Sequence, residues 1–227
     1  MRWGLIPYWA KDASIGLRTI NAKAETITTA PAFREAIKYR RYLVPADCFY
    51  EWQRLNAKTK QPFAIAMKDG KPYALAGLWE RWKDRKAGTE LLTFTVITTD
   101  PNEVVEQLHD RMPCIIPEKD YDRWLKPGDP GRPPIDLLRP FDADKMTAWK
   151  VDKAVGNVKN DSPELIEPAS TTPNHVDESI DEVQGSSRKS RSQRDGRLQS
   201  VREGGLTAFP CQMLTVMRER RPCGRSS

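Results

Sequence analysis

A carboxylate, an imidazole and a side-chain amide are the groups in this sequence whose settings suit chemistry. The carboxylate is Glu51, inside the apolar stretch Leu43-Val44-Pro45-Ala46-Asp47-Cys48-Phe49-Tyr50-Glu51-Trp52. Strand alternation turns Cys48, Tyr50 and Trp52 to one side and Phe49 and Glu51 to the other, leaving an acid beside an aromatic ring. Apolar surroundings disfavour the ionised form and move a carboxyl toward the range useful for proton transfer. A strand-end Glu that simply reaches water fits the same letters. His109, in Leu108-His109-Asp110-Arg111-Met112-Pro113, falls at a helix-to-extended junction, where a ring can face a cleft and act as acid or base near neutral pH. The same place suits a ring that caps the helix end or bonds a backbone carbonyl. Asn21 offers amide donors and a carbonyl acceptor from a polar loop, with Lys23 two residues on as a phosphate ligand, although a loop Asn also makes turns.

Other residues point to binding. Trp3, between Arg2 and Gly4, has a face for an unpaired base, a contact that contributes ~1–3 kcal/mol per base, or else it fills a core. Arg34, Lys38, Arg40 and Arg41 form a basic cluster that suits a nucleic-acid backbone or an ordinary solvated face. No phosphate-binding glycine loop, G-x-S-x-G elbow or H-E-x-x-H helix occurs, so nucleotide hydrolysis, serine-hydrolase chemistry and zinc proteolysis have no support.

The elements that must hold these groups follow from periodicity. Pro31 opens a short helix on which Ala32, Phe33, Ala36, Ile37 and Tyr39 recur at three-to-four spacing, and its end leads through Arg40-Arg41 into the Glu51 strand. Gln61 to Met67 and Tyr73 to Trp79 read as a hairpin joined by an Asp69-Gly70 turn. A charged break from Arg81 to Glu90 precedes the β-branched run Leu91 to Thr99. Asp100 as N-cap and Pro101 at the first position start a helix through Val104, Val105 and Leu108 that delivers His109. Arg111 to Pro117 reads as extended, Glu118 to Leu125 as helical with Tyr121, Trp124 and Leu125 on one face, and Met146 to Val155 as a final strand. Short strands with interspersed helices predict an α+β fold, a bent, barrel-like and mostly antiparallel sheet flanked by short helices.

Composition sets the bounds. A chain of 227 residues holds one core with an appendage, since domains commonly run ~100–200 residues. The net charge of +6 favours an anionic partner. Cys48, Cys114, Cys211 and Cys223 form no C-x-x-C pair and only His109 and His175 could join them, so neither a zinc site nor a disulfide framework is expected, and a reducing cytoplasm fits. No run of ~18 apolar residues signals a membrane span. Trp3, Leu5, Ile6, Tyr8 and Trp9 crowd residues 1–10 as a fraying terminus would not, which predicts a segment upstream. All seven Trp and all six Tyr precede Pro168, and Phe209 is the one aromatic after it. The expected division is a domain over 1–168 and a disordered tail over 169–227, whose basic run Ser186 to Arg194 touches nucleic acid by charge or serves as a solvated linker.

Taken in series, Trp3-Gly4-Leu5-Ile6-Pro7, Asn21-Ala22-Lys23-Ala24-Glu25-Thr26, Arg41 through Trp52, Ala76-Gly77-Leu78-Trp79 and His109-Asp110-Arg111-Met112-Pro113 resemble the SRAP family, the SOS response-associated peptidase proteins. The resemblance spans roughly residues 1–168. It implies a protein that shields abasic sites in single-stranded DNA, as a monomer and without a cofactor. It also implies a mechanism, in which a cysteine directly after the initiator Met condenses through its α-amine and thiol with the ring-opened abasic aldehyde to give a thiazolidine. By motif, the assisting residues are Asn21 to hold the N-terminal residue, Glu51 to move protons at amine and sugar, and His109 to stabilise or protonate the sugar oxygen. Trp3, Lys23, Arg41 and Arg34 are the implied DNA contacts. Three positions depart from the pattern: residue 2 is Arg2, Cys48 replaces a glycine, and Lys23 replaces an arginine, which keeps the charge and loses a bidentate fork. Cys223-Gly224-Arg225 matches the family's start only in letters, because an internal cysteine has no free amine. The resemblance therefore carries two expectations: a cross-linking enzyme whose Met-Cys-Gly-Arg start lies upstream, or a truncated remnant that binds single-stranded DNA without a covalent bond.

Overall fold

Runs of alternating β-branched and aromatic residues build two sheets. The computed structural model describes residues 1–169 and a short strand at Thr215–Val216. The basic run Ser186 to Arg194, His175, Cys211 and Cys223 lie outside the described residues, as does the rest of the expected tail. In chain order the strands are β1 (Arg2–Trp3), β2 (Asn21–Lys23), β3 (Arg41–Ala46), β4 (Cys48–Arg54), β5 (Lys60–Met67), β6 (Tyr73–Lys83), β7 (Glu90–Thr99), β8 (Met112–Pro113), β9 (Ile115–Ile116), β10 (Met146–Lys150) and β11 (Thr215–Val216), with helices α1 (Ala36–Tyr39) and α2 (Tyr121–Leu125). The first sheet has the order β1-β7-β6-β3, with β2 and β8 also on β7 and β9 on β6; the second has the order β10-β5-β4-β11. The α+β expectation holds, and neither sheet closes on itself.

Three apolar clusters account for the layering. Val44, Phe49, Ile65, Leu75, Phe94, Val96 and Met146 come from both sheets and fill the space between them. On the outer face of the first sheet, Leu5, Ala22, Ile97 and Leu78 meet Phe33, Ile37 and Trp124, which the helices and turns bring over them. Cys48, Tyr50, Ala64, Val151 and Val155 cover the outer face of the second. Cys48 and Tyr50 lie outside and Phe49 inside, so the alternation expected along β4 holds.

Strand pairing corrects the expected hairpin. β5 has both edges occupied by β4 and β10, and β6 by β3, β7 and β9, so no edge remains for β5 to meet β6. The Asp69-Gly70 turn, with Gly70 at φ +67°, instead passes the chain from one sheet to the other. The hairpins these strands do form are β4–β5 and β6–β7: Arg54 faces Lys60 in the first, and β6 runs through the expected charged break to Lys83, which faces Glu90, in the second.

One expected helix is also shorter and another is replaced by turns. α1 spans only Ala36–Tyr39, preceded by turns from Pro31. The segment before His109 is a series of turns, anchored by Asn102: its Oδ1 accepts from Val105 N at 3.1 Å while its Nδ2 donates to the Phe141 carbonyl at 2.8 Å. Asp100, the expected cap, pairs with Arg111 instead. Trp124 is buried as expected, whereas Leu125 is exposed.

Candidate active site

Register decides which residues share a face. β1 and β2 both run parallel to β7 along one edge, Trp3 opposite Phe94, Asn21 opposite Val96 and Lys23 opposite Thr98. Partners in register point the same way, and Phe94 and Val96 belong to the cluster between the sheets. Trp3, Asn21 and Lys23 therefore line the inner face in steps of about 7 Å. Across the gap, Glu51 lies opposite Phe63 on β4 and shares the inner face with Phe49. Its residue is 1% exposed, which removes the alternative of a strand-end acid reaching water.

Two cross-ties hold the sequence-distant motifs together. Arg111 makes a two-pronged pair with Glu25, Nη1 to Oε1 at 2.8 Å and Nη2 to Oε2 at 3.0 Å, and so joins the Asn21 motif to the His109 motif. Nη2 also donates to the Thr98 carbonyl at 2.7 Å, fixing both motifs to the end of β7. The second tie runs from Gln53 Nε2, on the Glu51 side of β4, to the Gln107 carbonyl two residues before His109, at 3.2 Å. Val105 and Leu108, from the same turns, pack into the inner cluster beside Phe49 and Trp3. The segments that carry Asn21, Glu51 and His109, far apart in the chain, are thus tied to one another. Glu25 and Gln53 are the positioning groups that sequence reasoning missed; Glu25 stands inside a quoted motif, but its partner is 86 residues away.

Local geometry gives each side chain a capacity. Trp3 is half-buried, its Nε1 donating to the Ile20 carbonyl at 2.7 Å and its ring nearly parallel to Phe94 (6.2 Å, 9°). Asn21 Oδ1 is a buried acceptor with no hydrogen-bond partner among the described residues, an arrangement that natural proteins rarely leave unused. His109 Nδ1 accepts from Arg111 N at 3.1 Å and lies 3.2 Å from Asp110 Oδ1. Hydrogen bonding to Arg111 is the main reason the Glu25 carboxyl is held below its ordinary range.

The expected basic cluster is largely committed elsewhere. Arg41 donates to the carbonyls of Trp124, Ile37 at 2.9 Å, Lys38 at 2.9 Å and Lys126 at 2.7 Å, capping the ends of α1 and α2 rather than offering a free fork. Arg40 pairs with the buried Glu80 at 2.8 Å and Lys38 with Glu35 at 3.1 Å. Arg34 and Lys23 are exposed. Tyr8 and Trp9 are exposed as well, on a loop anchored where Trp82 Nε1 donates to the Ala10 carbonyl at 2.8 Å. The thiols of Cys48 and Cys114 are buried, and burial pushes them up to about 11 and about 12, which makes both poor nucleophiles. Among the described residues no three His, Cys, Asp or Glu gather to hold a metal, and no helix is long and apolar enough to cross a membrane.

Comparison with known proteins places this arrangement. Residues 1–158 match the family model described as SOS response associated peptidase (SRAP). The abasic site processing protein YoqW of Bacillus subtilis (strain 168) is 48% identical over 168 residues, covering 74% of this chain and 75% of that protein. The abasic site processing protein HMCES of Gallus gallus is 31% identical over 192 residues, covering 74% of this chain and 56% of that protein. A crystal structure of a protein from Bacteroides thetaiotaomicron superposes with a TM-score of 0.69 at 35% identity, covering 74% of this chain and 75% of that one.

Proposed function

This chain belongs to the SRAP family, and from that premise we propose that it processes abasic sites in single-stranded DNA at the edge of the gap between its two sheets. The observation that carries the reading is the pair of ties, Glu25–Arg111 and Gln53–Gln107, that join the segments bearing Asn21, Glu51 and His109. Its relatives are named abasic site processing proteins. In the proposed complex, Trp3 offers a flat face to a base beside the lesion, and Lys23 and Arg34 meet phosphates. The Arg41 hydrogen bonds favour a structural task for that residue over DNA contact.

The chemistry we propose starts from the ring-opened sugar, which presents an aldehyde. An N-terminal amine attacks the carbonyl carbon, and Glu51 takes a proton from the nitrogen and returns it to the carbinol oxygen, so that water leaves and an imine forms. A thiol on the same N-terminal residue then adds to the imine carbon as the C=N π bond breaks, its proton passes to the nitrogen, and the thiazolidine closes. Asn21 Oδ1, a buried acceptor, suits the amine, and His109 suits the sugar oxygen released by ring opening. Burial of Glu51 keeps its proton transfers away from bulk water.

A second reading has its own observation. Both described thiols, Cys48 and Cys114, are buried, which favours recognition of the lesion without a covalent bond through either of them. Intact-mass measurement after incubation with an abasic single-stranded oligonucleotide separates the two. The cross-linking reading expects an adduct from a version preceded by a Met-Cys-Gly-Arg start, formed at least ~100-fold more slowly by its Glu51→Gln variant. Equal rates for that pair remove Glu51 from the chemistry, and an adduct on the polypeptide as written defeats the second reading.

A further inference from the structure

The Glu25–Arg111 pair does more than tie two loops. We infer that Glu25 is a positioning residue that sets the tautomer of His109: by anchoring the Arg111 guanidinium it fixes the Arg111 backbone N–H against His109 Nδ1, leaving Nε2 as the nitrogen that carries the proton. This inference rests on the proposed role of His109 toward the sugar oxygen.

The geometry forms a chain of fixed contacts. Both Glu25 oxygens accept from Arg111, whose Nη2 is also held by the Thr98 carbonyl and whose Nη1 lies 3.2 Å from Asp100 Oδ1. A side chain bound at both ends of its fork has little freedom, and the Arg111 main chain is further pinned because the next residue opens β8, Met112 pairing with Thr99. Two residues back, Nδ1 of His109 sits 3.1 Å from the Arg111 N–H. A backbone N–H can only donate, so this contact requires an unprotonated Nδ1, and the neutral ring must then bear its hydrogen on Nε2. Two acceptors compete for the opposite tautomer, the Arg111 carbonyl at 3.3 Å and Asp110 Oδ1 at 3.2 Å from the same nitrogen. Asp110 is 89% exposed at its side chain, so water satisfies it without the imidazole. A small displacement of the Arg111 backbone would therefore hand Nδ1 to an acceptor and move the hydrogen from Nε2 to Nδ1. An Nε2–H donor can reach a sugar oxygen while the other nitrogen is engaged; an Nδ1–H ring presents a lone pair there instead.

Nitrogen-15 NMR of the imidazole rings, at a pH where they are neutral, distinguishes the tautomers directly, and a His175→Gln background leaves His109 as the one histidine. The expected result is Nε2–H in that protein, a mixture of tautomers in Glu25→Gln, and recovery of most of the Nε2–H form in Glu25→Asp, which keeps the charge. Thermal melting run alongside separates this from loss of fold, and a residue that only stabilised the loops would lower the melting temperature without moving the tautomer. A ring that is Nδ1–H with Glu25 present, or an unchanged tautomer in folded Glu25→Gln, overturns the inference. Binding of a single strand carrying a stable abasic analogue tests the underlying function separately: Glu25→Gln should weaken the preference for the lesion roughly 10-fold, the scale on which groups behind a reacting side chain act. If the parent shows no such preference while the tautomer responds to Glu25, the proposed function fails and the positioning of the ring stands.

Discussion

At the scale of single residues, the site is a set of polar groups held by partners that sequence distance conceals. Glu51, Asn21 and His109 were identifiable as candidates because an acid in an apolar strand, an Asn in a polar loop and a His where a helix was expected to give way to an extended segment each stand out from their neighbours. The ties between their segments were not legible, since they depend on Arg111 reaching Glu25 and Gln53 reaching Gln107, pairings that no local pattern encodes. The ion pair also gives the site an acid limit. The Glu25 carboxyl titrates below its ordinary value near 4.5 in the folded protein, so its contribution to stability is present above that value and is lost as pH falls through the lower folded one. With 46% of its side chain exposed, that contribution is no more than about 1 kcal/mol. Denaturant melts of the wild type and Glu25→Gln should differ at pH 7 and converge as the pH falls through the lowered folded value; a constant difference would contradict the assignment.

At the scale of elements, the two short edge strands decide the site because they place Trp3 and Asn21 side by side on β7. The link between them depends on a close approach. Gly4, at φ +103°, passes so near the 3-10 turn over Ala13–Arg18 that a Cβ would lie 2.4 Å from the Gly16 carbonyl oxygen. Gly4→Ala combines a left-handed φ with a backbone clash and should cost about 3 kcal/mol or more, measured by chemical denaturation. A change under about 1 kcal/mol would show that the loop relaxes freely. Most strands were legible because alternation and β-branching are local properties, as in Glu90–Thr99. Their partners were not. β5 and β6 read as a hairpin across Asp69-Gly70, yet each is consumed by other strands, since an edge can be claimed by any segment the tertiary fold delivers. The helix expected before His109 is a run of turns anchored at Asn102, whose Nδ2 reaches the carbonyl of Phe141, 39 residues on, a partner that a periodicity argument does not weigh.

At the scale of the whole molecule, each sheet has its own outer cover and both share one inner cluster, the cluster that the edge strands β1 and β2 flank through their pairing with β7. Cys48 and Cys114 sit in the outer covers, fully shielded, with thiols raised to about 11 and about 12. Both should resist alkylation by iodoacetamide near neutral pH and react once denaturant is added, followed by peptide mass mapping; rapid labelling of either in the folded protein would contradict the packing described. The net charge of +6 favours an anionic strand but names no lesion, so recognition has to come from the site itself. The central claim is that Asn21, Glu51 and His109 form one pocket for an abasic sugar. Its most direct test is the affinity ratio between a single strand carrying a stable abasic analogue and the same strand undamaged, for the parent and for Asn21→Ala, Glu51→Gln and His109→Ala. The pocket predicts a parent that prefers the lesion and three variants in which that preference falls together while binding to the undamaged strand is retained. A parent without preference, or a preference that survives all three substitutions, would contradict it.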